Sequence, residues 1–159
     1  MAHGPRIRPL TAADADELEA ARAANEAFLA PFSPPRPDGS SAPEQPGAWR
    51  FAIVDDGAIV GTISLTNVVR GALQSANVGY WVDKSHNGRG LATAAVAEVV
   101  AIAFGELGLH RLEAGTLVDN LASQRVLEKN GFERIGLARR YLHIGGDWRD
   151  HVLFQRTAD

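Results

Sequence analysis

The sequence predicts an α/β (α+β) fold: a mixed, mainly antiparallel twisted sheet with helices on both faces. Three observations carry this. Strand-like runs and helical periodicities follow one another in the order β, α, loop, β, β, β, α, β, α, β, β. The strands after the loop are joined by turn signals rather than helices, which makes them antiparallel neighbours in a meander. Two helical stretches then lie between later strands, as crossovers that cover sheet faces do. The 159 residues are 45% hydrophobic and 22% charged, ordinary values for a globular domain with enough chain for a core, and one domain over residues 1–159 is expected.

Arg6 to Leu10 reads as a short first strand. Thr11 is a suitable N-cap for a helix from Ala12 to Phe28, with Asp14, Asp16 and Glu17 in its first turns, where the helix dipole favours negative charge. Pro31 to Gly47, rich in Pro, Ser and Gly, is a long irregular segment, either a lid or a solvated connector. Trp49 to Val54 and Ala58 to Leu65 are strands joined by Asp55-Asp56-Gly57, a hairpin signal. A turn over Arg70 to Gln74 leads to a strand from Asn77 to Val82. From Leu91 to Leu107 the pattern is helical, with Val96, Val99, Val100, Ala103 and Leu107 on one face and Gly108 as the stop. Arg111 to Leu117 is a strand, Asn120 to Lys129 a helix stopped by Asn130-Gly131. Ile135 to Leu142 and Trp148 to Gln155 are closing strands around Gly145-Gly146.

Composition excludes several functions. The net charge of -3 gives no global attraction to nucleic acid or to an anionic membrane. The absence of cysteine removes disulfides, thiolate metal sites and a cysteine nucleophile. Met1 to Leu10 lacks an apolar signal core, and the longest apolar stretch, Leu91 to Phe104, is too short to span a bilayer. A soluble cytoplasmic protein is expected, a monomer or homodimer, with no metal.

The chemistry concentrates where the strand ending at Val82 runs through Asp83-Lys84-Ser85-His86-Asn87-Gly88-Arg89-Gly90 into the helix at Leu91. Backbone N–H groups at a helix start lack internal partners and carry partial positive charge, and glycines let them approach an anion closely. A pyrophosphate suits such a loop. It is not a P-loop, because Leu91-Ala92 follows where Lys and Ser or Thr belong. Nor is it a dinucleotide fingerprint, since Gly88 and Gly90 follow several strands and lack the third glycine.

Asn87-Gly88-Arg89-Gly90-Leu91-Ala92 resembles the acyl-CoA signature of the GNAT superfamily of N-acyltransferases, Gln/Arg-x-x-Gly-x-Gly/Ala, with Asn87 in place of Gln or Arg. Asn120 to Phe132 is similar to the second hallmark, an Asn, a Ser three residues on and a closing Gly-Phe. Tyr141 to Phe154 resembles the last hairpin of the branch that holds the ribosomal-protein N-terminal alanine acetyltransferases. The resemblance covers nearly the whole chain. It implies an enzyme that moves an acetyl group from acetyl-CoA to a primary amine, in a GNAT-type fold. It implies that Trp81 and Val82 lie where a strand splays, offering backbone groups to the pantetheine arm, Trp81 being equally suited to plain packing. Asn87, Gly88, Arg89, Gly90, Leu91, Ala92 and Thr93 would hold the pyrophosphate. Asn120 would bond the pantetheine or serve as helix N-cap. Ser123, one turn on, would lie near the sulfur and protonate the leaving thiolate.

Many relatives place a Glu at the position of Asn77, which accepts no proton at neutral pH. His86, His143 and His151 are the substitutes in the chain, since an ordinary imidazole titrates near ~6.5. An α-amine titrates near about 7.7–8.0 and is roughly a tenth neutral at pH 7, whereas a lysine amine near ~10.4 is almost wholly charged. Without an evident carboxylate base, the favoured acceptor is the N-terminal α-amine of a protein or peptide. The rivals are a small amine, such as an antibiotic or polyamine, and a non-catalytic domain that senses acyl-CoA.

Overall fold

A computed structural model describes residues 4–32 and 47–159; the expected irregular segment from Pro31 to Gly47 lies, between its ends, outside the described residues. The strands are β1 (Ile7–Pro9), β2 (Trp49–Asp55), β3 (Ala58–Val69), β4 (Ser75–Val82), β5 (Arg111–Leu117), β6 (Glu133–Ile144) and β7 (Asp147–Thr157). The helices are α1 (Ala15–Ala24), α2 (Glu26–Leu29), α3 (Leu91–Phe104) and α4 (Leu121–Lys129). The strands form one seven-stranded sheet in the order β1-β2-β3-β4-β5-β7-β6. Every neighbouring pair is antiparallel except β4 and β5, which are parallel because α3 carries the chain between them. This is the mixed, mainly antiparallel sheet that the sequence predicts.

Two turns follow from local chemistry. Asp56 and Gly57 have φ of 49° and 79°, and Gly145 and Gly146 have φ of 64° and 86°. Paired positive φ values are those of the tight hairpin turn whose twist matches the flanking strands. α3 packs Ala95, Val96, Val99, Val100 and Ala103 onto Ile53, Ile63, Leu65, Ala76 and Val78 of the sheet, with Leu127 of α4 in the same cluster. Each such Val or Leu contributes about 1.5–3 kcal/mol on full burial. α1 covers the opposite face, where Leu18 packs with Ala52, Ile59 and Trp81.

The structure differs from the expected bounds of several elements. The helix expected from Ala12 to Phe28 begins with a 3-10 turn over Ala12–Asp14 and breaks at Asn25. Asn25 is buried, its Nδ2 donates to Ala21 O at 2.8 Å, and its Oδ1 accepts from the Lys84 N–H at 2.9 Å. A residue that must reach a loop distant in sequence leaves helical geometry to do so. α3 ends at Phe104, one turn before the expected stop, with Gly105 as its C-cap. β3 runs on to Val69, and β6 and β7 are longer than the pattern suggested, because each has a partner strand to complete its ladder.

Candidate active site

β4 and β5 share only three rungs: Ser75 with Arg111, Ala76 with Leu112 and Asn77 with Glu113. Beyond them the strands part. β4 stays paired to β3 as far as Val82, and β5 to β7 as far as Leu117, which lies opposite His151. A wedge therefore opens between Val78–Val82 and Ala114–Leu117. Gly61 of β3 sets the β4 side of it. A Cβ there would stand 2.1 Å from the Trp81 carbonyl oxygen, so the two backbones are in close contact. That carbonyl and the Asp83 N–H, which bonds Val60 O at 2.7 Å, both turn toward β3. Backbone groups alternate in direction along a strand. Trp81 thus belongs to the β3 ladder, while Tyr80 and Val82 turn into the wedge N–H and carbonyl groups that have no partner among the described residues. The Trp81 side chain packs in the α1 cluster, with the Arg22 guanidinium 5.4 Å from its ring centroid.

At the end of β4, Asp83 Oδ1 accepts from the Ser85 N–H at 2.8 Å and from its hydroxyl at 2.7 Å, closing a single 3-10 turn over Lys84–His86. Gly88 and Gly90 follow with φ of 77° and 76°, Gly90 being the N-cap of α3. This left-handed backbone is open to glycine and strained for other residues. The N–H groups from Gly88 through Thr93 meet no protein acceptor among the described residues. They form a row of donors at a helix start, suited to an anion. Asn87 leads into it in extended conformation. Arg89 is turned aside: its guanidinium lies 2.9 Å from Asp55 Oδ2, while Arg6 holds Oδ1 at 2.9 Å. Asp55 is buried and ties the loop to β2.

Across the wedge, Asn120 Oδ1 accepts from the Ser123 N–H at 3.2 Å, which makes Asn120 the N-cap of α4. The Ser123 hydroxyl meets Tyr80 Oη at 2.7 Å. Burial pushes the Tyr80 phenol up to about 12, against a smaller opposing pull from the Ser123 hydrogen bond, so it stays neutral near pH 7. Tyr80 is the residue that sequence reasoning missed. Its signal was the alternation of β4, which puts Tyr80 on the helix side with Val78 and Val82, and the rule that a buried tyrosine hydroxyl finds a partner.

The base candidates separate clearly. Asn77 sits on the last rung opposite Glu113, whose Oε1 takes two hydrogen bonds from the Arg111 guanidinium, at 2.9 and 2.7 Å. His86 is on the loop, 3.1 Å from the Ser85 hydroxyl. His143 is exposed on β6, its ring centroid 5.4 Å from that of Trp148. His151 alone of these is buried, at 3% exposure.

A strand pair that parts, a row of free backbone donors and a hydroxyl pair at the opening can hold an extended phosphorylated thioester. The family model described as "Acetyltransferase (GNAT) domain" matches residues 6–133. The probable N-acetyltransferase YjcK of Bacillus subtilis is 42% identical, over 92% of this chain and 90% of its own. The crystal structure of the ribosomal-protein-S5-alanine acetyltransferase of Vibrio fischeri superimposes with a TM-score of 0.89 at 30% identity, covering 96% of this chain and 92% of that one. Mycobacterium smegmatis RimJ, solved in complex with CoA-disulfide, gives a TM-score of 0.85 at 34% identity, covering 96% and 81%. This chain therefore belongs to the GNAT acetyltransferase family and is an acyl-CoA-dependent N-acetyltransferase.

Proposed function

We propose that this enzyme transfers the acetyl group of acetyl-CoA to the N-terminal α-amine of a protein or peptide, within the wedge between β4 and β5. The observation that carries the reading is the Ser123–Tyr80 hydroxyl pair at the opening of that wedge. The pyrophosphate lies on the N–H groups of Gly88 to Thr93, the pantetheine arm runs along the free edge of Tyr80 and Val82, and the sulfur reaches Ser123. Arg89 contributes by holding the loop on Asp55. The α-amine acceptor is supported by Asn77 where a carboxylate base would stand, and by a structural relative named as a ribosomal-protein-S5-alanine acetyltransferase. Direct transfer is supported by the absence of cysteine, which rules out a thioester on the enzyme. The test is intact-mass analysis of a mixed panel of peptides, polyamines and aminoglycosides with acetyl-CoA, alongside detection of free thiol. Acetylated N-termini are the expected product. Modified polyamine or antibiotic, or no thiol release from a protein that binds acetyl-CoA, overturns the reading.

Two substitutions test the machinery. Gly90→Val forces a branched residue into left-handed backbone beside the donor row. Acetyl-CoA binding should weaken tenfold or more, about 1.4 kcal/mol; unchanged calorimetric affinity in the folded variant rules the loop out. Ser123→Ala removes a hydrogen bond to the departing thiolate. Such bonds to charged groups contribute about 1.5–3 kcal/mol, so kcat should fall about tenfold or more with little change in the KM for acetyl-CoA. Tyr80→Phe should lower kcat less, and the double variant should be no slower than Ser123→Ala alone, because Tyr80 acts through Ser123. Additive losses would show that Tyr80 serves packing instead.

A further inference from the structure

On the face of the wedge away from α3 and α4, side chains alternate with the helix-facing ones: Asn77, Gly79 and Trp81 from β4, and Glu113, Gly115 and Leu117 from β5. Gly79 and Gly115 are exposed, so the gap beside the splay carries no side chains there. β7 and β6 form its wall. A Cβ at Gly115 would stand 3.4 Å from Leu153 Cδ2, 3.7 Å from His151 Cδ2 and 3.7 Å from Tyr141 Cε1. The Tyr141 ring covers that of His151 with centroids 5.5 Å apart.

The hydrogen bonding of His151 fixes its tautomer. Nδ1 lies 3.0 Å from the carbonyl oxygen of Arg149. A carbonyl only accepts, so Nδ1 carries the hydrogen, and Nε2 of the neutral ring is a bare acceptor. No hydrogen bond or ion pair among the described residues reaches Nε2. Cδ2, the ring atom bonded to Nε2, is the one turned toward Gly115. The edge that bears an available lone pair therefore borders the open gap.

We propose that His151 Nε2 is the general base of the transfer, a reading that rests on acetyl transfer in the wedge as described above. The amine nitrogen attacks the thioester carbonyl carbon, and the C–N bond forms. The proton of that nitrogen passes to Nε2, directly or through one water. The C–S bond breaks, and its electron pair leaves on sulfur, which the Ser123 hydroxyl stabilises. The imidazolium returns its proton to solvent, and the thiolate takes one from solvent as CoA departs. Hydrogen-bond donor and base thus act from opposite faces of the sheet: Ser123 from the α4 side, His151 from the side where the acceptor enters. The other candidates lack this geometry. Asn77 accepts no proton, Glu113 is bonded by Arg111 before the gap opens, His86 lies on the loop and His143 on the outside of the hairpin. The ionisable groups near His151 are Tyr141 from β6, whose ring packs on it, and on its own strand Arg149 and Asp150, the latter accepting from the Arg140 N–H; on β5 its cross-strand neighbour is Leu117, and Glu113 lies four residues along, opposite Gln155.

The experiment compares wild type, His151→Gln and His151→Ala on an N-terminal peptide acceptor. His151→Gln should lose a hundredfold or more in kcat, within the usual ~10²–10⁴ of a general base, with unchanged acetyl-CoA affinity. The acid limb of the wild-type pH profile should vanish in this variant. Imidazole in the buffer should restore part of the turnover of His151→Ala. On the wild type itself, heteronuclear NMR should show Nδ1 protonated and Nε2 bare, a readout that needs no variant to fold. A protonated Nε2 overturns the proposal, as does a His151→Gln enzyme within threefold of wild-type kcat, or a loss that tracks lost acetyl-CoA affinity. A wild type that binds acetyl-CoA yet acetylates no amine overturns the transfer reading, and the base with it. An active wild type beside an equally active His151→Gln overturns the base alone.

Discussion

Gly61→Ala is expected to lower stability by about 3 kcal/mol or more, the upper end of what an overpacked core position costs. The added Cβ would stand 2.1 Å from the Trp81 oxygen, 3.0 Å from Val82 Cα and 3.1 Å from the Trp81 carbonyl carbon. All three are backbone atoms, so no rotamer change relieves the clash, and β3 and β4 must separate. The melting temperature of a domain of this size should fall by roughly 6–12 °C. Because the strain falls where β4 turns its free edge into the wedge, acetyl-CoA binding should weaken in the folded fraction as well. Gly79→Ala is the control: its Cβ meets nothing within 4 Å, and stability should stay within about 1 kcal/mol of wild type. A Gly61→Ala protein that melts within 2 °C of wild type, with native acetyl-CoA affinity, would show that the close contact does not hold the wedge.

The second large effect concerns the acceptor. At pH 7 the neutral fraction of an α-amine exceeds that of a lysine amine by roughly a hundredfold or more. An imidazole base captures the proton as the C–N bond forms, but it is too weak to deprotonate a lysine ammonium beforehand. The enzyme therefore depends on amine that is already neutral. Two peptides of one sequence test this. One has a free N-terminal Ala and blocked lysines, the other a blocked N-terminus and free lysines. The first should be acetylated at least a hundredfold faster at pH 7, and the ratio should shrink as pH rises toward the lysine range. Faster modification of the lysine peptide would place a stronger base in the site and refute the α-amine preference.

The elements were legible where short-range chemistry decides them. The Asp56-Gly57 and Gly145-Gly146 turns, the Thr11–Asp14 start and the buried face of α3 through Ala103 depend on residues a few positions apart. The expected helix from Ala12 to Phe28 failed at Asn25 because a loop residue, Lys84, competes for its side chain. The site was legible as far as its motifs reach. The segment from Gly88 to Thr93 showed its donors in the sequence, since a glycine loop before a helix leaves N–H groups free wherever it occurs. Arg89 was legible as a charge on that loop, but its partner Asp55 sits on another strand.

The sequence by itself determined the strand and helix order, the mixed sheet, the family signatures and the absence of thiol chemistry. Local propensity, periodicity and residue type are enough for these. Only the tertiary structure decided that β4 and β5 part after Asn77 and Glu113, because a ladder ends where the other partners of each strand pull it away. It alone brought Tyr80 to Ser123, 43 residues apart, and set His151 beside Gly115 with its Nδ1 hydrogen given to Arg149. Which hydroxyl faces which, and which imidazole nitrogen is bare, are consequences of strand register and of contacts between residues remote in the chain, and no local pattern carries them.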